Sequence, residues 1–433
     1  MDLLTVNDRP GAYPPSYYAD AAGHLDRFPA AAGDLECDVC VIGAGFTGLS
    51  TAYHLAKRGY DVVVVEAQRV GFGASGRNGG QVATGQRRDQ EDLEAMVGEA
   101  HARQLWDIGC QAVDLVRDLC ATDEVRTDFH PGIVHTVHRK RDYGHSRAYV
   151  DHMQGKYGYD KISLLDTNAC REIVNSPAYH GGTLDMGSGH VNPLELVLGL
   201  ARLAVKSGAR IFEGSKVEGI DEADPAYVRT AQAKVKARYV VLGCNGYLGN
   251  MQKHVAARVM PINNFIVSTK PIEPEAQERI IRNNYAVADS KFVVNYFRFS
   301  DDHRLLFGGT ESYGYKFPKD IAGAVRKPLT EIFPQLEGIK IDHAWGGTLG
   351  ITMNRMPHYE RIGGNIFTMS GFSGSGVALG TLSGQIAAEA VAGQAERFDI
   401  MSKVPTFPFP GGPKLRSPLL VLAMLWYSLR DRL

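Results

Sequence analysis

The sequence predicts an α/β protein in which a Rossmann-like dinucleotide-binding domain is interleaved with an α+β domain built on an antiparallel sheet. Three observations predict this architecture. A β-α-β unit with a glycine-rich first turn lies near the start of the chain, α/β patterning returns in the middle and near the end, and alternating, aromatic-rich strands occupy residues 259–309. Segments of one pattern that are separated by another indicate two interleaved domains.

The β-α-β unit is the strongest local pattern in the chain. Residues 39–42 form a short apolar strand, residues 43–48 read Gly-Ala-Gly-Phe-Thr-Gly, and residues 49–58 repeat apolar side chains at about 3.6-residue spacing. Residues 61–65 form a second, β-branched strand that ends at Glu66. The strand before the glycines, the helix behind them and the acid at the next strand end are the context that a dinucleotide fingerprint requires.

Each residue of this fingerprint has a physical role. Gly43 permits the tight turn, Gly45 lets the backbone approach a pyrophosphate, and Gly48 lets the helix pack closely on the strand. The helix directs free amides and its positive dipole end at the same phosphates. Glu66 is placed to accept hydrogen bonds from a ribose, which favours FAD or NAD over NADP. The alternative is a plain helix–strand turn without a ligand.

The remaining elements follow in order along the chain. Charged and apolar residues alternate at helical spacing over residues 90–120, which predicts one or two amphipathic helices, and residues 130–138 are strand-like. Further α/β elements are predicted as a helix at 193–208, strands at 209–213, 236–242 and 366–369, and a helix at 377–391. Aromatic-rich strands are predicted within the segments PINNFIVSTKP, KFVVNYFRFS and HRLLFGG.

Two glycine loops accompany these elements. Residues 71–81 contain five glycines, so their backbone must come close to a flat or anionic group, and Arg77, Asn78 and Gln81 are expected to be fixed there by hydrogen bonds. A flexible surface loop is the alternative. The second loop, residues 371–376, directly precedes the last predicted helix.

Length and composition exclude several other classes of protein. The chain has 433 residues, too many for one core, and its formal net charge of −1 with no basic block predicts no nucleic-acid partner. Six cysteines form no disulfide pattern, and Cys37 and Cys40 straddle a strand without a second pair to complete a metal site. No signal peptide is visible, so we expect a cytoplasmic protein.

The three histidines of the strand-like segment invite a metal interpretation. His130, His135 and His138 have no nearby acid or cysteine partner, so we assign them to the faces of a strand and predict no metal site.

The first 36 residues are rich in Pro, Gly, Ala and Tyr and predict an arm. Tyr13, Tyr17, Tyr18 and Phe28 need surfaces to pack against, so the arm is expected to lie along the body of the protein.

Several longer motifs resemble one known family. They are SYYA, DVCVIGAGFTGLSTAYHLA, SGRNGGQV, YFRFSDDHRLLFGG, WGGTLGITMNRMP and GFSGSGVALG, and together they span nearly the whole chain. The chain resembles the FAD-dependent amine and amino-acid oxidases of the D-amino-acid oxidase, glycine oxidase and sarcosine oxidase superfamily, and within it the γ-glutamylputrescine oxidase branch. The resemblance implies an FAD-binding domain of the glutathione-reductase type and an enzyme of polyamine catabolism.

The resemblance also implies where the cofactor lies. The first fingerprint would hold the pyrophosphate, Glu66 the ribose, residues 216–217 the adenine and residues 244–245 the diphosphate side, while the two glycine loops would flank the isoalloxazine. The residues implied beside FAD are Gly43, Ala44, Gly45, Phe46, Thr47, Gly48, Glu66, Ala67, Ser75, Gly76, Arg77, Asn78, Gly79, Gly80, Gln81, Val82, Lys216, Val217, Cys244, Asn245, Gly371, Gly374, Ser375, Gly376 and Val377.

The implied reaction is transfer of a hydride from the carbon beside an amine to flavin N5, after which the imine hydrolyses to an aldehyde or keto product. This chemistry depends on positioning and an uncharged amine more than on a strong acid or base, so no catalytic dyad is expected.

The segments expected to cover the flavin contain candidates for substrate positioning. Tyr296, Phe297 and Trp345 would form aromatic walls for a cationic or aliphatic amine, and Arg298 and Arg355 would clamp a substrate carboxylate. The alternatives are packing in the core of a sheet for the aromatic residues and ordinary salt bridges for the arginines.

Two departures from the sarcosine-oxidase type bear on the cofactor and the electron acceptor. Residues 350–356 contain no cysteine that could bond the flavin, so non-covalent FAD is expected. Leu306 stands where those relatives carry a lysine that assists oxygen, so either O₂ or another acceptor, a quinone or a protein, remains open.

Near the C-terminus, residues 418–427 form an apolar run too short for a bilayer span, which needs about 20 residues. With the flanking cations, residues 418–433 could lie at a membrane surface or contact the body or another subunit. The predicted division of the chain is an arm at 1–36, an FAD-binding domain at 37–100, 180–250 and 345–400, a substrate domain at 101–179 and 251–344, and a tail with an apolar helix at 401–433.

Overall fold

The structure, a computed structural model, describes residues 2–23 and 25–411. The predicted apolar helix of the tail lies outside these residues. The strands, in chain order, are β1 (Gly33–Ile42), β2 (Val62–Val65), β3 (Gln81–Val82), β4 (His130–Thr136), β5 (Ile162–Leu165), β6 (Gly182–His190), β7 (Arg210–Phe212), β8 (Val217–Asp221), β9 (Ala226–Thr230), β10 (Ala233–Leu242), β11 (Met260–Thr269), β12 (Ala286–Asp289), β13 (Tyr296–Phe299), β14 (Leu305–Ser312), β15 (Ile341–Ile351), β16 (His358–Ile362) and β17 (Ile366–Ser370).

The α-helices of the described residues complete the set of elements. They are α1 (Tyr17–Ala21), α2 (Phe46–Ala56), α3 (Gln90–Val97), α4 (Glu99–Cys120), α5 (Tyr143–Tyr157), α6 (Thr167–Ile173), α7 (Pro193–Lys206), α8 (Lys253–Arg258), α9 (Pro274–Ile280), α10 (Ile321–Ile332), α11 (Ala378–Val391) and α12 (Glu396–Ser402).

The first sheet is the predicted Rossmann-like layer. Its strand order is β16-β17-β10-β1-β2-β7, and the five strands from β17 to β7 are parallel, while β8 and β9 extend it beside β10. The buried strands carry β-branched residues on both faces, as expected for a parallel sheet covered on two sides. Helices α2, α7 and α11 contribute to one apolar core with this sheet.

The second sheet has the order β15-β11-β14-β13-β12-β4-β6-β3, with β5 beside β6. All of its pairs are antiparallel except β12 with β4. A separate apolar core lies against it, which includes Val325, Leu329 and Ile332 of α10. The predicted fold class, a Rossmann-like domain interleaved with one built on an antiparallel sheet, is confirmed.

One predicted strand begins later than expected. Residues 291–295 lie in a loop, and the strand starts only at Tyr296. The buried carboxylate of Asp289 accepts hydrogen bonds from the amides of Lys291 at 3.1 Å and Asn295 at 2.9 Å. These bonds turn the backbone out of the sheet before β13 begins.

Sheet membership differs from the predicted division of the chain. Strands β6 and β15 pair in the second sheet, although residues 180–190 and 345–351 were assigned to the FAD-binding domain. Helix α4, assigned to the substrate domain, packs its apolar face into the core of the first sheet. Local patterns show a strand or a helix but not its long-range partner, which explains the difference.

The N-terminal arm packs along the body as its aromatic residues predicted. Tyr17 and Tyr18 are buried, and the Tyr13 hydroxyl donates to the carbonyl of Val70 at 2.7 Å.

Candidate active site

A cavity of about 1600 Å³ lies between the two sheets and is lined by both. Three of its lining segments directly follow the carboxyl ends of parallel strands: Gly43 follows β1, Glu66 follows β2 and Gly243 follows β10. Ligands of open α/β sheets bind at this edge. The cavity exceeds the volume of about 300–1,000 Å³ usual for a drug-sized ligand, so it has room for a dinucleotide and a second molecule.

The first glycine turn has the backbone geometry that its sequence predicts. Gly43 has φ +102°, and a Cβ on Gly48 would lie 1.9 Å from the Gly43 carbonyl oxygen. The Glu66 carboxylate accepts the amides of Ala44 and Gln68, each at 2.8 Å. Burial raises the pKa of Glu66, although these amides lower it. Glu66 therefore ties the turn to the end of β2.

The glycine loop of residues 71–81 is held by its own polar side chains. The Asn78 amide nitrogen donates to the carbonyls of Ala74 and Ser75, each at 3.0 Å, and its oxygen accepts the amide of Gly80 at 2.8 Å. The Ser75 hydroxyl oxygen accepts the amide of Phe46, the first residue of α2, at 3.0 Å. The two glycine turns thus form one surface of the cavity.

Arg77 anchors this loop from within the protein. Its guanidinium donates to the carbonyl of Phe72 at 2.6 Å and pairs with Asp8 of the arm at 2.8 Å. Its Nη2 is buried without a hydrogen-bond partner among the described residues. A buried, unpaired donor at the wall of a cavity is suited to an acceptor on a ligand.

The second sheet supplies the opposite wall through one row of residues. Pairing places Thr183 of β6 beside His135 of β4, His135 beside Ala288 of β12, and Ala288 beside Tyr296 of β13. All four line the cavity. The row therefore runs across four adjacent strands on one face of the sheet.

Tyr296 stands where this row meets the glycine loop. Its hydroxyl donates a short hydrogen bond to the Asn264 side-chain oxygen. A Cβ on Gly79 would lie 2.7 Å from its ring, and one on Gly308 only 2.2 Å away. Glycine at both positions therefore makes room for the ring. Burial raises the pKa of Tyr296, which keeps the phenol protonated.

Three predicted substrate-positioning residues do not line the cavity. Phe297 is buried in the core against the second sheet. The Arg298 guanidinium donates to the carbonyls of Gly79 at 2.7 Å, Val191 at 2.9 Å and Phe299 at 3.0 Å, so it holds backbone instead of a substrate carboxylate. Trp345 is buried and donates to the Arg77 carbonyl. Phe297 and Trp345 therefore have the core packing that was the alternative for the aromatic residues, whereas Arg298 binds backbone carbonyls and fits neither a substrate clamp nor the salt bridge that was its alternative.

The remaining candidate, Arg355, lines the cavity, as Tyr296 does, and belongs to a charged cluster. Glu311 and Arg87 lie near it, and Tyr313 donates to Glu311 at 3.2 Å. Desolvation lowers the pKa of Arg355, while Glu311 opposes the shift. Desolvation raises the pKa of Glu311, while the arginines oppose it. The cluster thus contains two guanidinium groups, those of Arg87 and Arg355, and the single carboxylate of Glu311.

The predicted cofactor residues divide into two groups. Twenty of the twenty-five line the cavity, including Lys216, Val217, Cys244 and Asn245. The other five do not line the cavity. Gly48, Gly76 and Gly80 lie against backbone carbonyl oxygens, Gly371 lies against the side chain of Thr352, and Val82 is buried. Leu306, the position compared with the lysine of relatives, is also buried away from the cavity.

Residues 2–8 cross from one sheet to the other beside the cavity. Asp2 pairs with Lys216 at 2.5 Å, and the Leu4 carbonyl accepts from Gln68 at 2.8 Å on the side of the first sheet. Asn7 bonds to the backbone of Tyr315 and Phe317 on the other side. Asp2 and Leu4 also line the cavity.

Several cavity residues were missed by the sequence reasoning. Arg87, Asp89, Tyr149, Asp185 and Glu311 were not singled out, and His135 was recognised only as a strand residue. Arg87 and Asp89 lie six and eight residues after the predicted glycine loop, and this nearness was the available signal. Within residues 2–23 and 25–411, no group of three or more His, Cys, Asp or Glu side chains is arranged to hold a metal.

Comparison with known families decides the class of protein. The family model described as "FAD dependent oxidoreductase" (DAO) matches residues 38–390. The chain belongs to this family. It is therefore an FAD-dependent oxidoreductase, as the resemblance implied.

Individual DAO-family proteins resemble the chain over nearly its whole length. It is 39% identical over 419 residues to the gamma-glutamylputrescine oxidoreductase of Escherichia coli (strain K12), covering 96% of this chain and 98% of the relative. It is also 39% identical over 421 residues to the probable oxidoreductase OrdL of Rhizobium meliloti (strain 1021), covering 96% and 97%.

Solved structures of the family share the fold. Glycine oxidase from Geobacillus kaustophilus superposes with a TM-score of 0.71 at 19% identity, covering 83% of this chain and 95% of that one. L-Proline dehydrogenase from P. horikoshii gives 0.69 at 22% identity, covering 83% and 94%. None of the helices in the described part of this DAO-family chain is long and apolar enough to cross a membrane.

Proposed function

We propose that this enzyme oxidises the carbon beside the primary amine of a γ-glutamylputrescine-like substrate, with O₂ as the electron acceptor. The observation that carries the proposal is the 39% identity to gamma-glutamylputrescine oxidoreductase, spread over 96% of the chain. The size of the cavity is compatible with it, because about 1600 Å³ has room for such a substrate beside a dinucleotide.

Three features of the cavity support FAD as its resident cofactor. Lining residues extend from Glu66, Lys216 and Val217, past the first glycine turn, to residues 374–377, as an extended dinucleotide requires. A Cβ on Gly374 would meet only Arg87 Nε at 3.8 Å, so this loop presents bare backbone to the cavity. The buried Arg77 Nη2 offers a free donor. These residues fit FAD.

The proposed cofactor contacts are the twenty residues that the resemblance implied beside FAD and that line the cavity. Bound FAD supplies the two-electron oxidant that takes a hydride from the carbon beside the amine. The start of α11 lines the cavity at Val377, so its positive dipole end is suited to an anionic ring edge. With no cysteine at residues 350–356, we propose that FAD is held without a covalent bond.

The chain's own residues would position the amine and exclude water. Tyr296 stays protonated beside the glycine loop and presents an aromatic face, which suits an alkyl chain or a cation. Asn264 fixes the direction of its hydroxyl. Desolvation lowers the pKa of His135, so this imidazole is neutral near pH 7. Arg355 remains the candidate for an anionic substrate group.

The test is the visible absorbance of the purified holoenzyme during anaerobic addition of amines. The panel is γ-glutamylputrescine, putrescine, sarcosine, glycine and D-amino acids. The proposal is supported if γ-glutamylputrescine bleaches the flavin band at a lower concentration than the other amines. If only glycine, sarcosine or a D-amino acid bleaches it, the substrate belongs to that class and the proposed substrate is wrong. A protein that no amine bleaches contradicts amine oxidation altogether.

Admission of air to the bleached enzyme tests the acceptor. Rapid return of the band supports an oxidase. A bleached enzyme that is reoxidised by a quinone but not by air is a dehydrogenase, the alternative raised by the leucine at position 306. The cytoplasmic location, and a contact of residues 418–433 with a membrane or another subunit, stay predictions.

A further inference from the structure

The cavity continues well beyond Tyr296. The row from Tyr296 through Ala288 to His135 spans two strand spacings, which is about 10 Å across the sheet. Arg87 and Asp89 lie near the His135 end of the row and also line the cavity. A substrate whose amine lies at Tyr296 would therefore reach these charged groups only if it were long.

Arg87 is a cation with free donors. Its Nε donates to the Ser373 carbonyl at 3.1 Å, which fixes the side chain, and among the described residues it forms no ion pair. Glu311 lies near both Arg87 and its neighbour Arg355, and Asp89 also lies near Arg87. The terminal nitrogens of Arg87 are thus available to an anionic group.

Asp89 is an anion with a free oxygen. It occupies the N-cap position of α3, where an aspartate usually accepts a helix amide, yet its side chain makes no capping bond. Its Oδ2 pairs with His145 at 3.1 Å, and 53% of its side chain remains accessible within the cavity. Asp89 and Arg87 are two positions apart, and their opposite charges attract each other.

The other acids near this end of the cavity already have partners: Asp92 pairs with Arg88 at 3.3 Å, and Glu311 accepts a hydrogen bond from Tyr313 at 3.2 Å. Asp185 accepts hydrogen bonds from Thr84 at 2.6 Å, from Ser188 at 2.5 Å, from the amide of Gly187 at 2.9 Å and from Tyr159. Asp289 holds the loop before β13 through its bonds to residues 291 and 295. Asp89 is therefore the acid best able to bind a cationic ligand group.

We infer that Arg87 and Asp89 form a clamp for an α-amino-acid head group at the end of the substrate remote from the oxidised amine. Arg87 binds the α-carboxylate, and Asp89 binds the α-ammonium. This inference rests on the proposed function and adds the specificity that distinguishes a γ-glutamyl amine from a simple amine.

The experiment uses the holoenzyme and four amines that share the aminobutyl end. They are γ-glutamylputrescine, its analogue with an α-carboxamide, glutarylputrescine, which lacks the α-ammonium, and N-acetylputrescine, which lacks the whole head. Anaerobic flavin reduction at increasing amine concentration gives an apparent Kd that does not depend on the acceptor. We expect the Kd to rise about tenfold for each lost charge, as for a charge-assisted hydrogen bond.

Two variants and a matched control assign the charges. Asp89→Asn should collapse the preference for γ-glutamylputrescine over glutarylputrescine to near one, and Arg87→Gln should collapse the preference over the carboxamide. Glu91→Gln removes the same charge from a position in α3 that does not line the cavity, so it should keep both preferences.

The two proposals fail in different ways. Equal Kd values for all four amines in the wild type, or a preference that survives both variants, overturn the clamp but leave amine oxidation standing. Absence of bleaching with every amine overturns the proposed function and the clamp with it.

Discussion

The indole Nε1 of Trp345 donates a hydrogen bond to the carbonyl oxygen of Arg77 at 3.0 Å. The bond joins strand β15 of the second sheet to the glycine loop on the opposite side of the cavity. Because both residues are buried, the bond exchanges little with water and helps to fix the loop against which a flavin would lie.

Replacement of Trp345 by Phe should weaken both the fold and cofactor binding. Phenylalanine lacks both the N–H and the second ring of indole, so the buried Arg77 carbonyl loses its donor and a void is left, which together cost at least about 1–3 kcal/mol of unfolding free energy. Urea unfolding of the holoenzyme measures this loss, and quenching of flavin fluorescence measures the Kd of FAD. An unchanged Kd of FAD would show that the loop does not depend on this bond.

Arg298 and Arg355 should differ sharply when each is replaced by Lys. Arg298→Lys loses the planar set of donors to three backbone carbonyls and should lower the unfolding free energy by about 2–4 kcal/mol. Arg355→Lys, at the cavity wall, should instead act mainly on the apparent Kd of the amine.

Urea unfolding and anaerobic flavin reduction, applied to both variants, separate these effects. If Arg298→Lys kept its stability but its apparent Kd for the amine rose strongly, Arg298 would be a substrate-binding residue after all.

Gly48→Ala should prevent formation of the first glycine turn. The added Cβ would lie 1.9 Å from the Gly43 carbonyl, a backbone atom that cannot move aside without breaking the turn. We expect a loss of about 3 kcal/mol or more, seen as colourless or insoluble protein.

The matched control is Gly155→Ala in α5, another glycine within a helix but with nothing within 4 Å of the added Cβ. It should stabilise the protein by about 0.5–1 kcal/mol, because alanine favours the helix. Yellow, stable Gly48→Ala protein would contradict the close approach of α2 to β1.

Glu94 should make the stability depend on acid pH. Burial would raise the pKa of Glu94, but hydrogen bonds from Lys156, Tyr157 and His152 outweigh it and lower the pKa from 4.5 to about 2. The carboxylate therefore contributes its full stability above pH 4.5 and loses this contribution as the pH falls from 4.5 towards 2.

Glu94→Gln should be less stable than the wild type by about 1 kcal/mol at pH 7, since the pairs are partly screened by solvent. The difference should shrink at pH 3.5. Urea unfolding at both values measures it, and a difference that grows on acidification would reverse the assigned sign.

Much of the fold was predictable because its signals are local. The strand, glycine turn and helix of residues 39–58 follow from spacing alone, and Asn192 followed by Pro193 begins α7 as predicted. The twenty cavity-lining residues that the resemblance implied beside FAD lie on the glycine fingerprint, the end of β2, the two glycine loops, and residues 216–217 and 244–245. The loop at residues 291–295 was not predictable, because Asp289 redirects a segment whose composition favours a strand.

What the sequence by itself determined is the nucleotide-binding unit and the class of fold, since periodicity and turn glycines act over a few residues. Only the tertiary structure decided which polar residues face the cavity. Tyr296 and Phe297 are neighbours on β13, yet Tyr296 lines the cavity and Phe297 is buried in the core on the other side of the second sheet. Neighbouring strand residues point to opposite faces, and the face that meets the cavity is set by pairing with strands distant in the sequence.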